Sequence, residues 1–198
     1  MVDVGIDASY AGQVSIGYVS VFLFRALLTI STPAQNFLLI LDTGSADLWV
    51  ADSDCTTNTC SELTRFETSS SSTYEASSVP FSISYGSGDA AGLITRDTIT
   101  MGGFTIENQG FAIVNQTTAG LVSAPISGLM GLAWENIAQT RATPFWQALA
   151  QSGTWTTQEM SVYMKRYRNA VNPSDVETDG GSLTLGYVSS NCVGLLLT

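Results

Sequence analysis

The most constraining feature of the sequence is an uninterrupted apolar run at residues 37–41, Phe-Leu-Leu-Ile-Leu, which ends directly in Asp42-Thr43-Gly44. A short apolar run bounded by turn-forming residues is typical of a β-strand buried on both faces. We therefore expect a continuous strand over residues 36–42 in the interior of a sheet. A carboxylate at the end of such a strand loses hydration, so it needs hydrogen-bond donors or a second carboxylate that shares its proton.

The residues after Asp42 can supply such donors. Gly44 lets backbone N–H groups approach the carboxylate closely, and the hydroxyls of Thr43 and Ser45 can add hydrogen bonds. The same residues are compatible with an ordinary Asx turn at a strand end, because Asp-Thr-Gly occurs by chance in many proteins. On its own, the tripeptide makes Asp42 a candidate catalytic carboxylate and leaves both interpretations open.

Much of the remaining chain has the alternation and the turn residues of β-strands. Further strands are predicted at residues 4–17, 46–51, 79–85, 92–101, 104–114, 160–165 and 181–186. Hairpin connections are predicted at residues 86–90 and at Gly102-Gly103. One helix is predicted at residues 145–150, with Thr143 as its cap and Pro144 in its first turn. The sequence thus predicts a mainly β architecture with one or two short helices.

The charged residues restrict the chemistry that is available. The chain has 198 residues, enough for a sizeable core, with 7 Lys and Arg, 17 Asp and Glu, no histidine and a net charge of −10. The lack of histidine excludes Ser-His-Asp and Cys-His catalysis and almost every His-ligated metal site. The acidic balance argues against nucleic acid as a partner. Acid–base work falls to Asp and Glu, with no cofactor and no metal expected. The acidity suits either work at low pH or a plain acidic surface.

The cysteines suggest an oxidising compartment. Cys55 and Cys60 lie five positions apart in a polar stretch, which predicts a small disulfide loop. A zinc site there would need two more ligands nearby, and none follow. Cys192 is expected to be unpaired. Asn115-Gln116-Thr117 matches the acceptor pattern for glycosylation, which matters if the protein is secreted.

The first residues show neither a secretory signal nor a membrane anchor. They are acidic and interrupted by glycine, unlike a signal peptide. The apolar stretch at residues 18–30 contains Arg25 and is too short to cross a bilayer. No membrane span is expected.

Several segments resemble, in order, the N-terminal lobe of pepsin-like aspartic endopeptidases of family A1. These segments are residues 37–50, the Cys55–Cys60 loop, and residues 84–88, 128–133, 144–149, 160–164 and 180–186. Together they cover about residues 10–186, with one interruption. The resemblance implies a pepsin-like acid-protease lobe of closed or orthogonally packed antiparallel sheets with one or two short helices.

The resemblance also implies roles for single residues. Asp42 would be one of two catalytic carboxylates that share a proton and activate a water molecule against a peptide bond. The residues implied to orient this carboxylate are Thr43, Gly44 and Ser45. The residues implied to form a flap over the substrate are Tyr85, Gly86, Ser87 and Gly88, with Trp49 behind the tyrosine. Simpler explanations exist, because Trp49 fits a core, Tyr85 fits a strand end and a glycine-rich hairpin fits an ordinary turn.

The sequence departs from the family pattern in three places. A second Asp-Thr-Gly or Asp-Ser-Gly does not occur, so the second lobe is expected to be absent. Residues 18–31, which number 31 − 17 = 14, separate Ser15-Ile16-Gly17 from Thr32-Pro33 and are predicted to be a non-native insertion at a hairpin tip. After a lobe at residues 1–186, residues 187–198 are predicted to be an aberrant tail.

Both unusual segments begin within the same tetrapeptide, Gly-Tyr-Val-Ser, at residues 17–20 and 186–189. Translated, retained introns would explain this repetition, and chance is the alternative. Sequencing of the mature transcript distinguishes the two, because a genuine insertion persists in the spliced message.

The resulting expectation is an aspartic-type endopeptidase chain that carries one catalytic aspartate and is inactive as a monomer. It would act on peptide or protein substrates, and a missing C-terminal lobe or a second copy would complete the active site. One alternative is a homodimer in which each chain donates Asp42. Another is an inactive module that binds peptides. The family resemblance implies a secreted or vacuolar location.

Overall fold

The structure is a computed structural model and describes residues 2–4, 9–11, 14–15, 28–155, 157–164, 176–177 and 181–187. These residues are mainly β with one short α-helix, α1 (Phe145–Gln151), which confirms the predicted class. The strands are β1 (Val2–Val4), β2 (Ser9–Ala11), β3 (Val14–Ser15), β4 (Leu28–Ile30), β5 (Gln35–Phe37), β6 (Ile40–Asp42), β7 (Leu48–Ala51), β8 (Pro80–Tyr85), β9 (Gly88–Met101), β10 (Phe104–Thr117), β11 (Gly128–Gly131), β12 (Met160–Met164), β13 (Val176–Glu177) and β14 (Gly181–Leu185).

Two sheets organise these strands. The larger has eleven strands in the order β13-β1-β2-β6-β11-β7-β10-β9-β4-β5, with β8 paired to β9, and the smaller has the order β12-β14-β3. Most neighbours are antiparallel, as predicted, but β6 with β11, β7 with β10 and β3 with β14 are parallel. Strand β11 therefore runs between β6 and β7, which places the end of β6 beside a strand from much later in the chain.

The apolar run at residues 37–41 is not one strand, and this prediction was wrong. Strand β5 ends at Phe37 and pairs with β4, whereas β6 begins at Ile40 and pairs with β2 and β11. The chain changes partners at Leu38, whose carbonyl accepts a hydrogen bond from the Ser127 N–H at 2.9 Å. The burial on both faces is as predicted, because Phe37 and Leu39 pack into one apolar cluster while Leu38 and Ile40 pack against another.

Of two predicted hairpin turns, one forms as predicted and one is shorter, and the predicted helix cap lies elsewhere. The hairpin at Gly102-Gly103 forms as predicted, with positive φ angles of 58° and 86° that glycine adopts without strain. The connection predicted at residues 86–90 is shorter, because Tyr85 already pairs with Gly88. Thr143 does not cap α1. Pro144 occupies the N-cap position, and the Thr143 hydroxyl donates to Glu135 at 2.8 Å.

The segment predicted to be an insertion is partly built into the core. Residues 18–27 lie outside the described residues, but Leu28–Ile30 form β4, and Leu28 and Ile30 are fully buried. For residues 28–30 the expected location at a hairpin tip is therefore wrong, because β4 lies between β5 and β9. No helix in the described ranges is long and apolar enough to cross a membrane.

Candidate active site

Asp42 ends β6, and both of its carboxylate oxygens accept hydrogen bonds from the turn that follows. The Gly44 N–H donates to Asp42 Oδ1 at 2.9 Å, and the Ser45 hydroxyl donates to Asp42 Oδ2 at 2.7 Å. A Cβ atom at position 44 would lie 3.2 Å from Oδ1, so glycine permits this close approach. The Thr43 side chain is exposed, and no described hydrogen bond joins it to Asp42.

Backbone hydrogen bonds from the segment after β11 hold the turn that carries Asp42 in place. The Leu132 N–H donates to the Asp42 carbonyl at 2.7 Å, and the Ala133 N–H donates to the Ser45 carbonyl at 2.9 Å. Gly131 pairs directly with Asp42. A Cβ atom at position 131 would lie only 2.4 Å from the backbone carbon of Ala46, so the packing here tolerates no side chain.

Asp47 anchors the same turn through its side chain, a contribution that the sequence analysis missed. It is 1% exposed, and its carboxylate accepts hydrogen bonds from the Gln139 N–H, the Thr140 N–H and the Thr140 hydroxyl at 2.7–2.8 Å. A buried carboxylate is stabilised when both of its oxygens accept hydrogen bonds, as they do here. Asp47 therefore ties the Asp42 turn to a loop more than 90 residues later.

Tyr85 lies at the end of β8, and its hydroxyl accepts a hydrogen bond from Trp49 Nε1 at 2.9 Å. Burial raises the pKa of Tyr85 to about 12, and the negative charges of Asp47 and Asp42 contribute, so the phenol remains protonated over the physiological range. Trp49 itself is fully buried, in β7.

The hairpin tip beyond Tyr85 is open to solvent and anchored at its base. Gly86 and Ser87 are exposed, and Gly88 has a φ of 147°. The Asp89 N–H donates to the Thr118 hydroxyl at 2.9 Å, which fastens the hairpin to the end of β10. The structure thus has a half-buried, oriented carboxylate at the end of β6 and a hairpin whose tyrosine is hydrogen-bonded to Trp49 of β7.

The comparison with protein families agrees with this geometry. The model of eukaryotic aspartyl proteases matches residues 24–194. The chain belongs to the eukaryotic aspartyl protease family. The pepsin-like resemblance is therefore confirmed for most of this aspartyl protease chain.

The relatives are much longer than the chain. Major aspartyl peptidase 1 of Cryptococcus neoformans var. grubii is 52% identical over 96% of this chain, which covers 36% of that protein. Human gastricsin is 34% identical over 94% of the chain, which covers 42% of it. Pig pepsin A is 34% identical over 94% of the chain, which covers 43% of that protein. This aspartyl protease chain therefore spans well under half the length of these relatives.

Outside the Asp42 site, two further predictions fall on described residues. The Cys55–Cys60 disulfide is present, with the Cα atoms 5.9 Å apart, as predicted, whereas Cys192 lies outside the described residues. Asn115 is partly exposed at a shift in register between Val114 and Gln116. Its role as a glycan acceptor stays a prediction. In the described part of the chain, no three His, Cys, Asp or Glu side chains could hold a metal ion together.

Asp52, beside the disulfide loop, is expected to make the stability of the chain depend on pH. Burial, reinforced by the negative charge of Asp54, raises the pKa of Asp52, whose hydrogen bonds from Ser53 and Asp54 are both long at 3.4 Å. The folded state thus holds the Asp52 proton more tightly than the unfolded state. The stability that this proton provides is present at low pH and is lost as the pH rises through the folded pKa.

We expect Asp52→Asn to raise the free energy of unfolding at about pH 7 and to leave it nearly unchanged at about pH 3, because the amide carries no charge that burial could penalise. Urea unfolding at both pH values measures this difference. The exposed Glu62, changed to glutamine, controls for the loss of one negative charge. A gain of equal size at both pH values would contradict the assignment.

Proposed function

We propose that this chain supplies one half of the catalytic carboxylate pair of an aspartic endopeptidase, with Asp42 as its contribution. The observation that carries the proposal is the arrangement of Asp42 at the end of β6, where its two oxygens accept hydrogen bonds from the Gly44 N–H and the Ser45 hydroxyl. A carboxylate that is half-buried, oriented and open on one side is suited to bind and activate water.

Hydrolysis by such a pair needs one ionised and one protonated carboxyl group. The ionised carboxylate takes a proton from water as the water oxygen attacks the peptide carbonyl carbon, and the protonated partner donates a hydrogen bond to the carbonyl oxygen. Protonation of the amide nitrogen then allows the C–N bond to break. Two carboxyl groups that share one proton cannot both ionise easily, so the pair works at acidic pH.

Asp42 needs a second carboxylate, and we propose that it comes from a C-terminal lobe or from a second copy of this chain. Asp47, the nearest acidic residue along the chain, is 1% exposed, and its oxygens already bind Gln139 and Thr140. It is therefore not available as the partner. A monomer of residues 1–198 is accordingly proposed to be inactive, with residues 1–186 as the N-terminal lobe and residues 187–198 as an added tail.

The supporting residues take the following roles in this proposal. Gly44 and Ser45 orient Asp42, while Thr43, at the exposed rim of the turn, is available to a second lobe or second chain. Tyr85 lies on the hairpin, which closes over an extended peptide. The backbone groups of Gly86, Ser87 and Gly88 bind the peptide main chain, and Trp49 holds the tyrosine in place.

We also propose an oxidising location, secreted or vacuolar. The supporting observation is the Cys55–Cys60 disulfide, since such bonds persist mainly outside reducing compartments. Peptide and protein substrates follow from the proposed chemistry.

The proposed function is tested by cleavage of an unfolded protein substrate at about pH 4, where one carboxyl of a pair is ionised. We expect a rate that rises with the square of chain concentration, or a rate that appears when the separately expressed C-terminal lobe of Major aspartyl peptidase 1 is added. Peptide binding without cleavage in either arm would favour a binding module instead. Folded chain with neither binding nor cleavage would overturn both functions.

A further inference from the structure

Ser31, directly after β4, has a backbone conformation that favours glycine. Its φ angle is 85°, in the left-handed region where a Cβ atom is strained. The side chain is largely buried and compensates with hydrogen bonds, since its hydroxyl donates to the Pro33 carbonyl and accepts from Gln35 Nε2 at 3.1 Å. A residue without a side chain would occupy this position with less strain.

The sequence contains a second segment with the same pattern that ends in glycine. Residues 14–17 are Val-Ser-Ile-Gly and residues 28–31 are Leu-Thr-Ile-Ser, an offset of 31 − 17 = 14 positions. In β4 the apolar positions 28 and 30 are fully buried, while the Thr29 hydroxyl donates to the Asn36 side chain at 3.1 Å on the exposed face. Both segments present an apolar residue, a hydroxyl residue, an isoleucine and a small residue in that order.

We propose that residues 14–17 and residues 28–31 are alternative occupants of one strand position. A chain without residues 18–31 would place Val14 and Ile16 in the buried positions of β4, Ser15 at its exposed position and Gly17 at the φ angle of 85°. Gly17 would then be joined directly to Thr32, as Ser31 is here. The inference is independent of the proposed catalytic role.

The two arrangements differ in where residues 14–15 pair. In the present chain, Val14 lies opposite Leu183 and Ser15 opposite Thr184, in the three-stranded sheet. In the shorter chain, Ser15 would instead lie opposite Thr100, the partner of Thr29 in β9. In the full chain, residues 28–30 therefore supply the strand beside β9, and residues 14–15 pair in the smaller sheet.

The test uses pairs of cysteines, because directly opposed residues on antiparallel strands lie within reach of a short thiol cross-linker. Cys192 is changed to serine throughout. We expect Ser15→Cys with Thr100→Cys to cross-link in the chain that lacks residues 18–31 and not in the full chain. Thr29→Cys with Thr100→Cys is expected to cross-link in the full chain and serves as the positive control. Peptide mapping by mass spectrometry identifies the linked residues.

A second measurement addresses the backbone strain in the full chain. Both Ser31→Gly and Ser31→Ala lose the hydroxyl and its hydrogen bonds, and only alanine keeps the strain, so we expect the urea midpoint of Ser31→Gly to lie above that of Ser31→Ala. A deletion variant that folds without the Ser15–Thr100 cross-link would overturn the proposal. A deletion variant that does not fold, or a full chain in which that same pair cross-links as readily, would overturn it as well.

Discussion

Gly131→Ala is expected to unfold the chain or to lower its free energy of unfolding by at least about 3 kcal/mol. The new methyl group would lie 2.4 Å from the Ala46 backbone carbon and 2.5 Å from the Ser45 carbonyl oxygen. Contacts this short with backbone cannot be relieved by a rotamer change. Either β11 separates from β6 and β7, or the turn that carries Asp42 moves.

The matched control for this prediction is Gly86→Ala. No heavy atom lies within 4 Å of a Cβ atom at position 86, and this glycine has no positive φ angle, so alanine should change stability by less than about 0.5 kcal/mol. Urea unfolding followed by tryptophan fluorescence measures both variants. Equal stability of the two variants would show that β11 is not packed against the Asp42 turn as described.

The general architecture could be predicted because β-strands have local signals. Alternating apolar residues and the glycine pair at 102–103 place β9 and β10 well, although both strands are longer than expected. The break between β5 and β6 has no such signal, because Leu38 and Leu39 continue the apolar run without a turn residue. A change of sheet partner is decided by distant strands, which a single segment of sequence does not reveal.

In the candidate site, too, features with local sequence signals could be predicted and features that depend on distant residues could not. Asp42 could be recognised as a candidate because its hydrogen-bond donors, Gly44 and Ser45, are its immediate neighbours, and the family resemblance then implied its catalytic role. Asp47 could not, because its donors lie 92 and 93 positions later in the chain. Residues 28–30 were expected to belong to an extraneous insertion, yet they form β4, in which Leu28 and Ile30 are fully buried.

Asp42→Asn is expected to reduce acid proteolysis at least about a thousandfold in whichever assembly is active, since a catalytic pair loses most of its function when one member is removed. The substitution should leave the fold intact. The amide oxygen can still accept from the Gly44 N–H, and the amide nitrogen can donate to the Ser45 hydroxyl, which then accepts instead of donating. The charge is lost while the local hydrogen bonds are kept.

Because Asp42→Asn keeps the local geometry, a change in the cleavage rate reports on the lost carboxylate and not on the fold. Cleavage rates at about pH 4 are compared with those of Asp54→Asn, which removes an exposed carboxylate next to the disulfide loop and should cleave as fast as the parent. Circular dichroism and the urea midpoint establish that both variants fold. If the Asn variant binds a peptide substrate as tightly as the parent but does not cleave it, Asp42 acts on the chemical step. Cleavage at the parent's rate would remove Asp42 from the catalytic pair, because an amide cannot take a proton from water at this pH.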